Sequence, residues 1–209
     1  MLARELSAYA NKPDTIVLAL PRGGVPVAAE VAGALGLPMD VFVVRKLGVP
    51  GQEELAMGAV ASGGVRVLNE EILAELGLPD ETIDAITARQ LEEVRRRENL
   101  YRGGTTPAGE VRGKTVLVVD DGLATGSTMR AAVKALRQMQ AKRIVVAVPT
   151  GAPDTCELLR READEVVCLM APEPYFAVGA WYADFSQTSD DEVRRLMAGR
   201  RRPTVAGAQ

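Results

Sequence analysis

Residues 115–128 read Thr-Val-Leu-Val-Val-Asp-Asp-Gly-Leu-Ala-Thr-Gly-Ser-Thr. Asp120 and Asp121 are adjacent carboxylates, which accept hydrogen bonds and so suit the two neighbouring hydroxyls of a ribose 2′,3′-diol. The residues that follow suit a phosphate. Ala124, Thr125, Gly126, Ser127 and Thr128 offer amides and three hydroxyls just where a helix should begin. A helix N-terminus presents unpaired N–H groups and roughly half a positive charge. The ligand implied by residue chemistry is therefore a ribose 5-phosphate moiety. The structural alternative is an acidic strand end followed by a Ser/Thr helix cap; each half alone reads that way, and the combination favours the ligand. A Walker loop would need Gly-Lys-[Ser/Thr] here, and a dinucleotide fingerprint would need Gly-x-Gly-x-x-Gly after the strand; neither is present.

A second polar loop, Pro21-Arg22-Gly23-Gly24, follows an earlier apolar run. Arg22 offers a charged fork and the glycines offer accessible amides, a combination that suits an anion; a plain Gly-Gly turn is the alternative. Arg45 and Lys46 follow another apolar run, where Lys46 either reaches across to the same anion or lies along the surface as a solvated cation. Five of the eight aromatic residues fall within 175–185: Tyr175, Phe176, Trp181, Tyr182 and Phe185. Such a cluster stacks on a heteroaromatic ring or forms a small apolar core of its own.

Chemistry elsewhere is narrowed by what the chain lacks. It contains no histidine, which excludes Ser-His-Asp and Cys-His catalysis and histidine-ligated zinc. Cys156 and Cys168 form no Cys-x-x-Cys and sit in apolar stretches, so two buried, reduced thiols are expected. A net charge of −3 argues against a large nucleic-acid surface. There is no signal-peptide pattern and no apolar run of membrane-spanning length, so the expectation is a soluble, cytoplasmic protein.

The elements that must position these residues alternate. Strands are expected at 14–20, 39–44, 115–119, 143–148 and 165–169, and helices at 1–10, 25–36, 129–140 and 153–163. Continuous apolar strands separated by helices predict an α/β fold: an open, mainly parallel twisted sheet with helices on both faces. In such sheets ligands bind beyond the carboxyl ends of the strands, which puts Arg22, Lys46, Asp120 and Thr150 on one rim. Residues 53–113 interrupt the alternation with a hairpin at 54–68, a helix at 69–76 and a long charged helix at 80–100. They are expected to form a lid on a single domain spanning 1–209. The tail 200–209 is expected to be flexible.

Together these features resemble the type I phosphoribosyltransferases, whose phosphoribosyl pyrophosphate (PRPP) signature matches 115–128; the resemblance runs from about 14 to 184. It implies Mg²⁺-dependent transfer of a phosphoribosyl group from PRPP to a nitrogenous, nucleobase-like acceptor, with the ion held mainly by PRPP. Arg22, Gly23, Gly24 and Lys46 would then bind pyrophosphate, and a cis peptide is implied near Pro21–Arg22. The segment 170–188 becomes a hood over the acceptor, with Phe176 and Ala177 at the base, Tyr175 and Trp181 nearby, and Asp184 and Asp120 as candidate metal contacts. Two departures matter. Ala124 stands where 6-oxopurine members often carry a third acid, and no lysine follows the 143–148 strand to read a 6-oxo group. The resemblance also implies a homodimer as the assembly to test. It leaves open a non-enzymatic PRPP-binding regulator. A PRPP-synthetase-type pyrophosphokinase would be built from two copies of the fold, and one is seen here.

Overall fold

A computed structural model describes residues 1–102 and 111–198. The expected tail and residues 103–110 of the expected lid lie outside the described residues. Five strands form one parallel sheet: β1 (Thr15–Ala19), β2 (Met39–Val41), β6 (Thr115–Val119), β7 (Arg143–Thr150) and β8 (Glu165–Met170). Their spatial order is β2-β1-β6-β7-β8, and β1 and β6 run in register from Thr15–Thr115 to Ala19–Val119.

Both faces of this sheet are buried, which is why its strands read as unbroken apolar runs. Val17, Ala19, Leu117 and Val119 face α1 (Leu2–Glu5), α2 (Gly24–Leu35) and α7 (Asp190–Ala198). Ile16, Leu18, Val116 and Val118 face α5 (Ser127–Gln138) and α6 (Pro153–Glu162). The expected first helix is shorter than its pattern suggested: α1 ends at Glu5 and a 3₁₀ turn covers Ser7–Tyr9.

The 39–44 strand expectation needs correcting. β2 stops at Val41, after which the Phe42 amide donates its bond to Ala19 O. Val43 N then donates to Ser62 Oγ, and Ser62 N donates back to Val43 O. This exchange passes the chain to a second, antiparallel sheet of β3 (Val44–Val49), β4 (Gln52–Ala61) and β5 (Val65–Leu68). Arg45 and Lys46 therefore lie inside β3 and do not cap β2. The second sheet packs Leu47, Met57 and Val60 against Ile83 and Val94 of α4 (Asp80–Arg102), with α3 (Glu70–Leu76) alongside. Asn69 caps α3 through its side chain, which accepts from Ile72 N.

α4 is anchored at its far end by a fully buried arginine. Arg102 donates to Asp40 Oδ1 and Glu98 Oε1, each at 2.9 Å, and also to Val41 O and Ser62 Oγ. One guanidinium thus joins the long helix to both sheets.

Candidate active site

The strand order reverses its direction of growth between β1 and β6, because the chain builds outward to β2 on one side and to β7 and β8 on the other. A crevice opens at such a point because the two connections leave on opposite faces of the sheet. The loop 21–24 leaves from β1 and Asp120-Asp121 leave from β6, so the two candidate loops meet there. They do so in direct contact. A Cβ on Gly24 would lie 2.7 Å from Val119 O and 2.8 Å from Asp120 Cα, and one on Gly23 would lie 1.8 Å from Asp121 Oδ2. Glycine at 24 allows the main chains this approach, and glycine at 23 leaves room for the Asp121 carboxylate. The Pro21–Arg22 peptide is cis, as the resemblance implied.

The two acids border different spaces. Asp120 lines a cavity of about 180 Å³ with Leu123, Thr125, Ser127 and Val178. Asp121 lines a larger cleft, about 750 Å³, with Arg22, Gly23, Arg97, Tyr182 and Asp184. The two carboxylates nonetheless stay in hydrogen-bond contact with each other. Burial, and then the neighbouring Asp121 charge, push Asp120 well above the usual carboxylate range. Burial also raises Asp121, against opposing hydrogen bonds from Asp120 and the Gly122 amide. Asp120 Oδ1 accepts from Asp121 N at 2.9 Å, which fixes its orientation.

The expected phosphate loop leads directly into α5. Gly126 takes φ +68°, the left-handed region, and no side chain caps the helix start. At this start Ser127 N donates to Thr125 Oγ1 at 3.5 Å, and Thr125 Oγ1 and Ser127 Oγ lie 3.1 Å apart. The loop rests on α6, because Thr155 Oγ1 donates to Ala124 O at 2.7 Å and Ala152 N donates to Leu123 O at 2.8 Å. Thr155 was missed in the sequence: its role comes from a tertiary contact with no local motif.

Lys46 is not in the Arg22 cleft. With Arg45 and Arg89 it lines a groove of about 610 Å³ that ends at Thr128, and it also borders Ser127. Its place inside β3 carries it to the phosphate-loop side of the crevice. Arg22 lies 3.8 Å from Asp190. The second cation of its cleft is Arg97, a residue of α4 that Glu93 holds at 2.7 Å. Nothing in the α4 sequence separates Arg97 from its arginine neighbours; the packing of the helix selects it.

The expected hood is only partly in place. Phe176 is 85% exposed and Ala177 is exposed, while Tyr175 and Trp181 stack on each other at 6.3 Å. From the aromatic stretch, Val178 lies beside Asp120, Phe185 lines the Arg22 cleft, and the Tyr182 hydroxyl donates to Asp121 O at 2.6 Å. Burial and the two nearby carboxylates raise the Tyr182 phenol, so it stays a donor. Asp184 lines the Arg22 cleft and accepts from Ser186 N at 2.9 Å.

This doubly wound sheet with a glycine-lined crevice at its switch point defines an open-sheet α/β protein. Residues 1–183 match the phosphoribosyl transferase domain family, and the chain belongs to that family. A Mycobacterium tuberculosis protein provisionally named a phosphoribosyl transferase is 48% identical over 192 residues, covering 92% of this chain and 43% of that protein. The chain thus spans less than half the length of the curated relatives it matches. A Thermus thermophilus protein of known crystal structure superposes with a TM-score of 0.80 at 40% identity, covering 96% of this chain and 94% of that one. A ribose-phosphate pyrophosphokinase from Mycoplasma pneumoniae is 30% identical over 128 residues, 58% of this chain and 36% of that enzyme. Among the described residues, no helix is long and apolar enough to cross a membrane.

Proposed function

We propose that this chain transfers the 5-phosphoribosyl group of PRPP to a nitrogen acceptor with a nucleobase-like ring, releasing pyrophosphate. The observation that carries the reading is the contact between Gly23-Gly24 and Asp120-Asp121 at the switch point, with the uncapped start of α5 one loop away. Anion, diol and second anion sites then follow one another in the order in which PRPP carries pyrophosphate, ribose and 5′-phosphate.

The 5′-phosphate accepts from the amides and hydroxyls of 124–128, with Lys46 flanking the loop. Asp120 and Asp121 approach the ribose from the phosphate-loop side and the Arg22 side respectively. Their raised titration means that ligand hydroxyls and cations must stabilise the ionised pair. Arg22, Gly23, Gly24 and Arg97 surround the leaving pyrophosphate and oppose the charge that develops on it. No side chain has to act as nucleophile; the protein positions the acceptor nitrogen against C1′ and keeps water out, with the 53–113 block as the cover.

Mg²⁺ supplies charge neutralisation for the leaving group when it is bound. The residues fit a hard cation brought in by the substrate: Asp121 and Asp184 offer carboxylate oxygens in the Arg22 cleft, with Asp120 nearby. Among the described residues no group of three His, Cys, Asp or Glu gathers into a protein cage. Tyr182 and Val178, rather than Phe176, are the hood residues placed to meet the acceptor.

The test is pyrophosphate release from Mg-PRPP with a panel of purine, pyrimidine and other nitrogen acceptors. Acceptor-dependent release supports the transferase. Tight PRPP binding with no turnover on any acceptor would replace it with a PRPP-binding regulator.

A further inference from the structure

The two cysteines, unremarkable in sequence, meet in the fold. Cys156 lies in α6 and is fully buried; Cys168 lies in β8, opposite Val148, and is partly exposed, not buried as expected. Both sulfurs converge on the backbone of Gly151, just beyond the end of β7. A Cβ there would lie 2.8 Å from Cys156 Sγ and 3.4 Å from Cys168 Sγ. The two thiols interact across this space. The hydrogen bond from Cys168 lowers the Cys156 thiol to about 7, and the same bond with burial raises Cys168. Cys168 Sγ also lies 3.1 Å from Met170 O, a second acceptor for its proton. Among the described residues no third soft ligand joins them, so a metal does not explain the pairing.

We propose that Cys156 and Cys168 form a dithiol that hydrogen peroxide converts to an intramolecular disulfide, and that the bridge loosens the 123–128 phosphate loop. The Cys156 thiolate attacks the peroxide O–O bond. An S–O bond forms, the O–O bond breaks, and the departing hydroxide takes a proton to leave as water. The Cys168 sulfur, losing its proton, then attacks the sulfenic sulfur; the S–S bond forms, the S–O bond breaks, and a second water leaves. The sulfurs lose two electrons and the peroxide gains them.

The coupling follows from neighbouring bonds. Thr155, adjacent to Cys156, holds Ala124 O, and Ala152 holds Leu123. A disulfide needs its sulfurs about 2.05 Å apart, closer than hydrogen-bonded thiols stand. The start of α6 must shift toward β8, and the phosphate loop rests on that start. The functional consequence, weaker PRPP binding, rests on the proposed transferase reading; the bridge and the loop response do not.

The full chain is treated with hydrogen peroxide, quenched with an alkylating agent and weighed intact, and amide hydrogen exchange is followed at 123–128. The expected product is a monomer lighter by two hydrogens with both thiols blocked, linking Cys156 to Cys168 on peptide mapping and reversed by dithiothreitol. Exchange at 123–128 rises on oxidation, and PRPP affinity falls by about tenfold, the scale of one lost phosphate contact. Cys168→Ser, outside the binding residues, keeps the reduced protein's exchange and affinity and loses the response. Both thiols remaining alkylatable, a sulfinate in place of the bridge, or a bond between two chains overturns the disulfide. A bridge with unchanged loop exchange overturns the coupling. A reduced protein without PRPP affinity sinks the transferase reading, and the mass and exchange readouts still decide this one.

Discussion

Alanine at Gly23 and alanine at Gly24 should fail in opposite ways. Gly23 has φ −58° and ψ −34°, a helical conformation that alanine adopts freely. Replacing glycine there gains roughly 0.4–1 kcal/mol by restricting the unfolded chain. The new Cβ meets only the tip of a side chain, Asp121 Oδ2 at 1.8 Å and Cγ at 2.6 Å, so the carboxylate rotates away. An off-rotamer side chain costs about 0.5–1.5 kcal/mol, and net stability stays close to wild type. Binding does not, because Asp121 no longer points into the Arg22 cleft. Losing one hydrogen bond to a charged group, about 1.5–3 kcal/mol, weakens PRPP binding by roughly 10- to 150-fold. At Gly24 the obstacles are main chain, Val119 O at 2.7 Å and Asp120 Cα at 2.8 Å. Neither can rotate, so β1 and β6 must part at their carboxyl ends. Overpacking of this kind costs about 1–3 kcal/mol and lowers Tm by roughly 2–12 °C for a chain of this size. Differential scanning fluorimetry with calorimetric titration of Mg-PRPP separates the two. A stable Gly23→Ala protein that binds PRPP within about twofold of wild type would refute the placement of Asp121. Greater destabilisation at Gly23 than at Gly24 would refute the packing argument.

Arg102→Met leaves the buried Glu98 carboxylate and the Val41 carbonyl without their donor. The cost is about 3–5 kcal/mol, read as a fall in urea midpoint, and Glu98→Gln in the same chain restores part of it; a change below about 1 kcal/mol would show that the pair is not holding α4. Asp120→Asn stabilises the free protein at neutral pH. Burial raises the folded carboxyl above its unfolded value, so through that window the folded state keeps a proton that the unfolded state has released, and wild-type stability falls as pH rises. The Tm advantage of the variant should therefore shrink as pH drops toward 4, and a gap that is constant or grows on acidification would contradict the raised titration.

The parallel sheet was legible because burial on both faces forces apolar runs, and 115–119 shows this in five residues. The two crevice loops were legible as loops at strand ends because Arg22-Gly23-Gly24 and Asp120-Asp121 each break an apolar run, and the structure brings them into contact. The strand boundary at Val44 was not. Phe42 and Val43 continue the apolar run without a break, and the transfer between sheets is made by Ser62, nearly twenty residues later, through a pair of hydrogen bonds no periodicity encodes. The place of Lys46 beside Ser127 and Thr128 follows from that one boundary. Arg97 and Thr155 were hidden for the same reason: each acts through the surface on which its helix happens to land.

The hood shows where composition misleads. A cluster of aromatic residues suggested a stacking platform led by Phe176, yet the ring most exposed in the free protein is the one least engaged with the crevice. Tyr182 is engaged because its hydroxyl has an acceptor, the carbonyl of Asp121, and because a carbonyl at that strand end needs a donor once the hood covers it. The hood is tied to the crevice by the hydrogen bond from the Tyr182 hydroxyl to the Asp121 carbonyl and by the packing of Val178 over Gly122. A change that shifts the Asp121 main chain therefore also shifts Tyr182, whereas a methyl at Gly23 meets only the Asp121 side chain.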